Sequence, residues 1–176
     1  MYYYAVDQQG FTETMNELGL SAFVMGTRIG FDPDILIDKM KTLIHRAGTN
    51  FLILDGHHCL EKTTIVETIN SMMLQSVDGV LHLFPCWPDK PASFTRLRAK
   101  GAFVVSAQYD GKQVTSLKLT SERGETCRIA LPQKDVATAE VRQNGEAIKT
   151  IQKDGILSFT TEAGKEYDIQ FLPDHE

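Results

Sequence analysis

Cysteine is scarce in this chain of 176 residues: Cys59, Cys86 and Cys127 are the whole complement. An odd count at wide spacing, without a C-x-x-C pair, offers no disulfide framework. Cys59 and Cys86 are free to pair, but no pattern in the sequence supports that bridge. Cys127 sits in the alternating run Cys127-Arg-Ile-Ala-Leu131 and reads as an apolar strand position. Lys and Arg total 18 against 23 Asp and Glu, and they form no basic block. With a net charge of −5 the chain lacks the electrostatic footprint of a nucleic-acid binder. No window approaches the roughly 18 consecutive apolar residues of a membrane span. The start, Met1-Tyr-Tyr-Tyr-Ala-Val-Asp7, has neither the basic region nor the apolar stretch of a signal peptide. Either the protein stays inside the cell or this is not the natural beginning of a secreted one. A Gly-rich phosphate loop, a G-x-S-x-G elbow and an H-E-x-x-H helix are also missing.

What is present suffices for a core. Hydrophobic residues make up 42% and charged residues 23%, which excludes a disordered chain and fits one domain or two small ones. The character changes near residue 79. Residues 1–78 hold five basic and ten acidic residues, residues 79–176 thirteen of each, so the excess negative charge belongs to the first part. All 6 Met also fall there, as expected for helices with irregular packing surfaces. These two segments, 1–78 and 79–176, are the expected domains.

The first segment predicts three helices. Residues about 12–29 place Met15, Leu18, Ala22 and Met25 on one stripe. Asp32-Pro33 is an N-cap followed by proline at the first helical position, where its missing N–H costs nothing. The helix it opens carries Leu36, Met40, Leu43, Ile44 and Ala47 on one face and stops at Gly48. Thr64-x-x-Glu67 has the form of a capping box, with Val66, Ile69, Met73 and Val77 as the buried stripe and Asp78-Gly79 as the stop. Between the last two helices, residues 50–61 read as an extended loop that places side chains.

The second segment predicts strands: Val80–Phe84, Phe94–Arg98, Ala102–Tyr109, Gln113–Ser121, Thr126–Leu131, and shorter ones near 138–143, 146–152 and 156–161. Asn144-Gly145 and Asp154-Gly155 suit tight hairpins because both positions tolerate positive φ. The last strand alternates Tyr167, Ile169 and Phe171 with Asp168 and Gln170. The fold class is therefore α+β, with N-terminal helices followed by an antiparallel β-sandwich.

The densest polar cluster is Asp55, His57, His58 and Glu61. It admits four readings. Two imidazoles and two carboxylates are legitimate metal ligands, although adjacent side chains on an extended segment point to opposite sides. A carboxylate here is also one half of a glycosidase acid–base pair. Sugar hydroxyls bind such groups without chemistry, and the same residues serve equally as loop polar groups ahead of a helix. Trp87, within Pro85-Cys-Trp-Pro88, either stacks on a sugar ring or packs a core or an interface. Arg96 and Arg98 share a strand face and either grip an anion or form a structural salt bridge.

Three stretches, Thr68-Ile-Asn-Ser-Met-Met-Leu-Gln-Ser76, Gly79-Val-Leu-His-Leu-Phe-Pro-Cys-Trp-Pro88 and Arg96-Leu-Arg-Ala-Lys-Gly-Ala-Phe103, occur in this order. Together they resemble the C-terminal part of glycoside hydrolase family 95, the α-L-fucosidase-type enzymes. In that family the last helices of an (α/α)6 barrel lead through a Pro-rich segment into a β-domain. The resemblance implies that residues 1–78 are the end of such a barrel. Asn50-Phe-Leu-Ile-Leu-Asp-Gly56 lines up with the family loop that bears a catalytic Asp, so Asp55 is the match. Glu61 matches the acid of relatives with a Gly-Gly-x-Glu-Asn pattern. Catalytic roles are thus implied for Asp55 and Glu61, and substrate-binding roles for His57, His58 and Trp87. No metal and no cofactor is implied. The implied partners are an oligosaccharide and an upstream polypeptide carrying the rest of the barrel. Self-association through the unpaired helical face is expected, while nucleic acid and membrane are not. Family members are often secreted or periplasmic. The expected function is that of a C-terminal fragment or subunit of a glycoside hydrolase, not catalytic alone. The alternative is a stand-alone carbohydrate-binding or partner-binding sandwich.

Overall fold

Two local devices define the helical part. In the computed structural model, which describes residues 21–46, 62–131 and 136–173, helix α1 spans Ser21–Ile29 and α2 spans Pro33–Arg46. Gly30 ends α1 at φ 70°, and the Phe31 N–H returns to the Gly26 carbonyl at 3.0 Å. Asp32 then caps α2: its Oδ1 accepts the N–H of Asp34 at 2.9 Å and of Ile35 at 3.2 Å. Leu36 and Met40, one turn apart, are buried as their spacing requires. On α1, Ala22, Phe23, Val24 and Thr27 are buried.

Three expectations for the helices fail. Met25, Ile44 and Val66 are exposed, at 50%, 43% and 55%. The third helix, α3 (Lys62–Met73), buries Thr68, Met72 and Met73, so Met73 is inward as expected and Val66 is not. Glu67 lies beyond the first turn and pairs with Arg28 at 3.6 Å instead of capping. The helix also ends at Met73, before Val77.

Leu74–Val77 is strand β1, paired antiparallel with β2 (Val80–Leu83) so that Val77 faces Val80. Asp78 and Gly79 adopt φ 50° and 74°, the double positive φ of a two-residue hairpin turn. The dipeptide that looks like a helix stop is a strand turn, because the apolar residues on either side alternate and pair. A hydrogen bond from Phe84 N–H to the Met73 carbonyl, 2.7 Å, closes the open end of this hairpin.

The chain divides into two compact units, Met1–Met72 and Met73–Glu176. The second holds eleven described strands. They are, after β2, β3 (Ala92–Ala99), β4 (Phe103–Tyr109), β5 (Val114–Ser121), β6 (Cys127–Ala130) and β7 (Val136–Gln143). Then come β8 (Glu146–Ala147), β9 (Ile151–Lys153), β10 (Ile156–Phe159) and β11 (Lys165–Pro173). One sheet runs β1-β2-β6-β10-β9 and the other β3-β4-β5-β11-β7-β8. All described pairings are antiparallel except β2 with β6, where Leu81 meets Ile129. Asn144-Gly145 and Asp154-Gly155 form the expected hairpins, with positive φ at all four residues.

Alternation decides what the sandwich buries. Leu81, Leu83, Cys127, Ile129, Leu157 and Phe159 supply one inner face; Val105, Ala107, Leu117, Leu119, Val141, Tyr167 and Ile169 supply the other. Phe159 and Tyr167 meet across the sheets with ring centres 5.5 Å apart. Asp168 and Gln170, the intervening residues of β11, are exposed.

Candidate functional site

Asp55, His57, His58 and Glu61 lie outside the described residues. Trp87 does not. It sits in the loop that carries the chain from β2 in one sheet to β3 in the other. Its indole N–H donates to the Lys90 carbonyl at 3.2 Å, and the side chain is half-buried. The Lys90 N–H in turn donates to the Pro88 carbonyl at 2.6 Å, which tightens the loop around the indole.

Aromatic contacts anchor the start of this loop. Phe84 stacks on Tyr109 at 5.0 Å between ring centres and meets Phe94 at 5.4 Å. Phe84 has φ 49°. A bulky L residue adopts that conformation at a cost of about 1–2 kcal/mol. Packing of its ring against β3 and β4 offsets that cost. The loop also rests on the β4–β5 turn, since a Cβ added at Gly111 would meet the Asp89 carbonyl at 3.4 Å. In that turn Asp110 Oδ1 accepts the N–H groups of Gln113 and Lys112, each at 2.8 Å. These backbone donors hold the Asp110 carboxyl below the usual range. Burial, with Asp89 and Asp110 nearby, pushes the Tyr109 hydroxyl up. The Pro-Cys-Trp-Pro motif therefore builds a rigid crossover with an aromatic base.

Arg96 and Arg98 have separate roles. Arg98 forms a forked pair with Glu122, Nη1 to Oε2 at 2.7 Å and Nη2 to Oε1 at 2.9 Å. This is the structural salt bridge of the two readings, and it raises the Arg98 pKa while holding the Glu122 carboxyl down. Arg96 occupies a bulge instead. Phe94 faces Ala107 and Leu97 faces Val105, so two residues of β3 oppose Ser106 alone. The Arg96 N–H donates to Ser106 Oγ at 2.9 Å.

Two features escape any reading of the sequence. Arg98 and Glu122 are 24 residues apart and no local pattern links them. A polar network is buried between the β5–β6 and β10–β11 connections: Thr161 Oγ1 and Ser121 Oγ share a hydrogen bond of 2.7 Å, and Ser121 Oγ accepts the Gly124 N–H at 3.0 Å. Thr161 also donates to the Glu125 carbonyl. Among the described residues no buried side-chain nitrogen or oxygen lacks a partner, and no group of three His, Cys, Asp or Glu is placed to hold a metal ion. Nor is any described helix long and apolar enough to cross a membrane.

The glycoside hydrolase family 95 C-terminal domain model matches residues 75–169. The chain belongs to that family. The match begins in β1 and ends in β11, so it takes in both sheets and the Trp87 crossover. A solved structure similar to the chain is a GH127 β-L-arabinofuranosidase from Geobacillus stearothermophilus T6, at 16% identity and a TM-score of 0.36. The similarity covers 65% of this chain and 19% of that one, so this chain spans about a fifth of that relative. No curated protein matches the chain.

Proposed function

We propose that this family 95 chain is the non-hydrolysing C-terminal piece of a carbohydrate-active enzyme. In this reading residues 1–78 are the last helices of an (α/α)6 barrel and residues 79–176 the sandwich that follows. The observation that carries it is the match of residues 75–169 to the C-terminal domain of glycoside hydrolase family 95. Exposed Met25 and Ile29, one turn apart on α1, fit a helix face that the rest of a barrel covers. Within the assembled enzyme Asp55 or Glu61 supplies the family's acid, and His57, His58 and Trp87 contact the sugar. The partners are an oligosaccharide and a barrel-bearing polypeptide, with self-association when that polypeptide is absent.

The test is hydrolysis of fucosides and galactosides by the purified chain, alone and after mixing with a separately expressed family 95 barrel. No turnover alone, and a stable complex in the mixture, is the expected outcome. Turnover by the chain alone that disappears in Asp55→Asn overturns the proposal.

A further inference from the structure

The outermost hairpin of the six-stranded sheet ends in the two-residue loop Asn144-Gly145. Below it the ladder pairs Gln143 with Glu146 and Arg142 with Ala147, and these two rungs hold β8 to β7. One further bond, from Ile148 N–H to the Val141 carbonyl at 2.9 Å, supports the return strand. Asn144, Gly145, Glu146 and Ala147 are all exposed. The loop has φ 53° at Asn144 and 84° at Gly145, and a Cβ at Gly145 would meet nothing within 4 Å.

Hydrogen bonding sets this loop apart from the rest of the chain. Among the described residues neither the Asn144 carboxamide nor the Gly145 N–H has a partner. Asp78-Gly79 and Asp154-Gly155 make loops of the same kind, but each carries a carboxylate, whose oxygen is a far poorer leaving group than an amide nitrogen departing as ammonia. Asn70 is also followed by a small residue, Ser71, yet both lie inside α3, where the Ser71 N–H belongs to the helical ladder. An exposed amide beside an unengaged backbone nitrogen is thus found at Asn144 and not at Asn70.

We propose that Asn144 is a modification site, deamidated spontaneously by the Gly145 nitrogen in a reaction gated by opening of the β7–β8 hairpin. The nitrogen bonds to Asn144 Cγ, the Cγ–Nδ2 bond breaks, and the Gly145 proton leaves with Nδ2 as ammonia, giving a cyclic succinimide. Water then opens the ring at either carbonyl. Cleavage of the new bond leaves aspartate, and cleavage of the original peptide bond leaves isoaspartate, with the main chain rerouted through the side chain. Glycine has no Cβ to hinder the attacking nitrogen. In the closed turn that nitrogen is directed away from Cγ, so the main chain must first rotate at Asn144. Two rungs at the edge of a sheet make such opening cheap. Isoaspartate adds a methylene to the main chain, which a two-residue loop of fixed twist does not accommodate, so the modified hairpin does not reclose in register. The inference stands apart from the hydrolase reading, since it concerns the chemistry of the chain itself.

The experiment holds the full chain at mildly alkaline pH and follows its tryptic peptides by mass spectrometry, beside a synthetic peptide of residues 143–149 in the same buffer. In the folded chain the 143–149 peptide gains one mass unit, as NH2 is exchanged for OH. It then separates into two products, one of which accepts a methyl group from isoaspartyl methyltransferase. The synthetic peptide reacts faster, by roughly tenfold for a hairpin end that is open about a tenth of the time. Asn70 keeps its amide while the chain is folded. Hydrogen exchange then reads the consequence: the Ile148 N–H loses protection in the isoaspartyl product, whereas Asn144→Asp, which adds the charge without the methylene, retains it. No mass gain in the folded chain while the synthetic peptide reacts, equal rates in the two, or loss of the Asn70 amide as fast as that of Asn144 overturns the proposal. Unchanged Ile148 protection in the isoaspartyl product overturns it as well.

Discussion

Replacing Tyr167 with Phe removes one oxygen from the middle of the sandwich and leaves the ring. Tyr167 is 1% exposed, and its ring meets Phe159 of the opposite sheet. Its hydroxyl accepts the Glu162 N–H at 2.7 Å, tying the β10–β11 connection to the core. A buried donor left without a partner costs up to about 3 kcal/mol, and an ordinary hydrogen bond is worth about 1 kcal/mol net. Glu162 itself is exposed, so water reaches its N–H once the hydroxyl is gone, and the lower figure applies. Tyr167→Phe is therefore expected to cost about 1 kcal/mol. Tyr167→Ala, which also empties the inter-sheet contact, is expected to cost about 3–5 kcal/mol. Urea unfolding followed by fluorescence separates the two, because Trp87 is the sole tryptophan and belongs to the same unit. With a slope of about 2 kcal/mol/M the Phe variant shifts the midpoint by about 0.5 M. If Tyr167→Phe costs as much as Tyr167→Ala, or if it costs nothing, the division between hydroxyl and ring is wrong.

Two further outcomes follow from backbone geometry and burial. Gly79 and Gly124 have similar φ, 74° and 78°, but a Cβ at Gly79 meets nothing within 4 Å while one at Gly124 meets the Ala163 nitrogen at 3.1 Å. Gly79→Ala should cost about 1 kcal/mol from the backbone alone, and Gly124→Ala distinctly more; equal midpoints in the same urea assay refute this. Burial pushes the Cys127 thiol from 9.0 to about 12, so it stays unlabelled by maleimide in the native protein at pH 9, as peptide mapping will show. Between about pH 9 and 12 the unfolded thiol ionises and the folded one does not, so stability falls with rising pH; the stability advantage of the parent over Cys127→Ala should shrink across that window.

Much of the sandwich is legible because its signals are local. Asn144-Gly145 and Asp154-Gly155 announce hairpins by the φ they tolerate, and alternation in β11 assigns its buried face. Asp78-Gly79 carries the same signal but follows residues that continue a helical pattern. What settled it was pairing: Val77 with Val80, and Leu81 with Ile129 on a strand far along the chain. The exposure of Val66 on α3 has the same origin, since a helix with several apolar faces buries the one its neighbours cover. On β3, sequence places Arg96 and Arg98 on one strand but shows neither the bulge at Thr95 and Arg96 nor Glu122 beside Arg98. Bulges depend on register with the partner strand, which no single strand contains.

Elements whose causes lie within a few residues are legible in the chain alone: the Asp32 cap, the two-residue turns, the alternation of β11 and the order of helices before strands. The sequence also carried the family motifs around Trp87. That Leu74–Val77 is a strand, which strands share a sheet, and that Arg98 pairs with Glu122 came from the folded arrangement alone. Those outcomes rest on contacts between residues tens of positions apart. Such contacts form only when burial and ladder hydrogen bonds across strands outweigh the local preference of each segment.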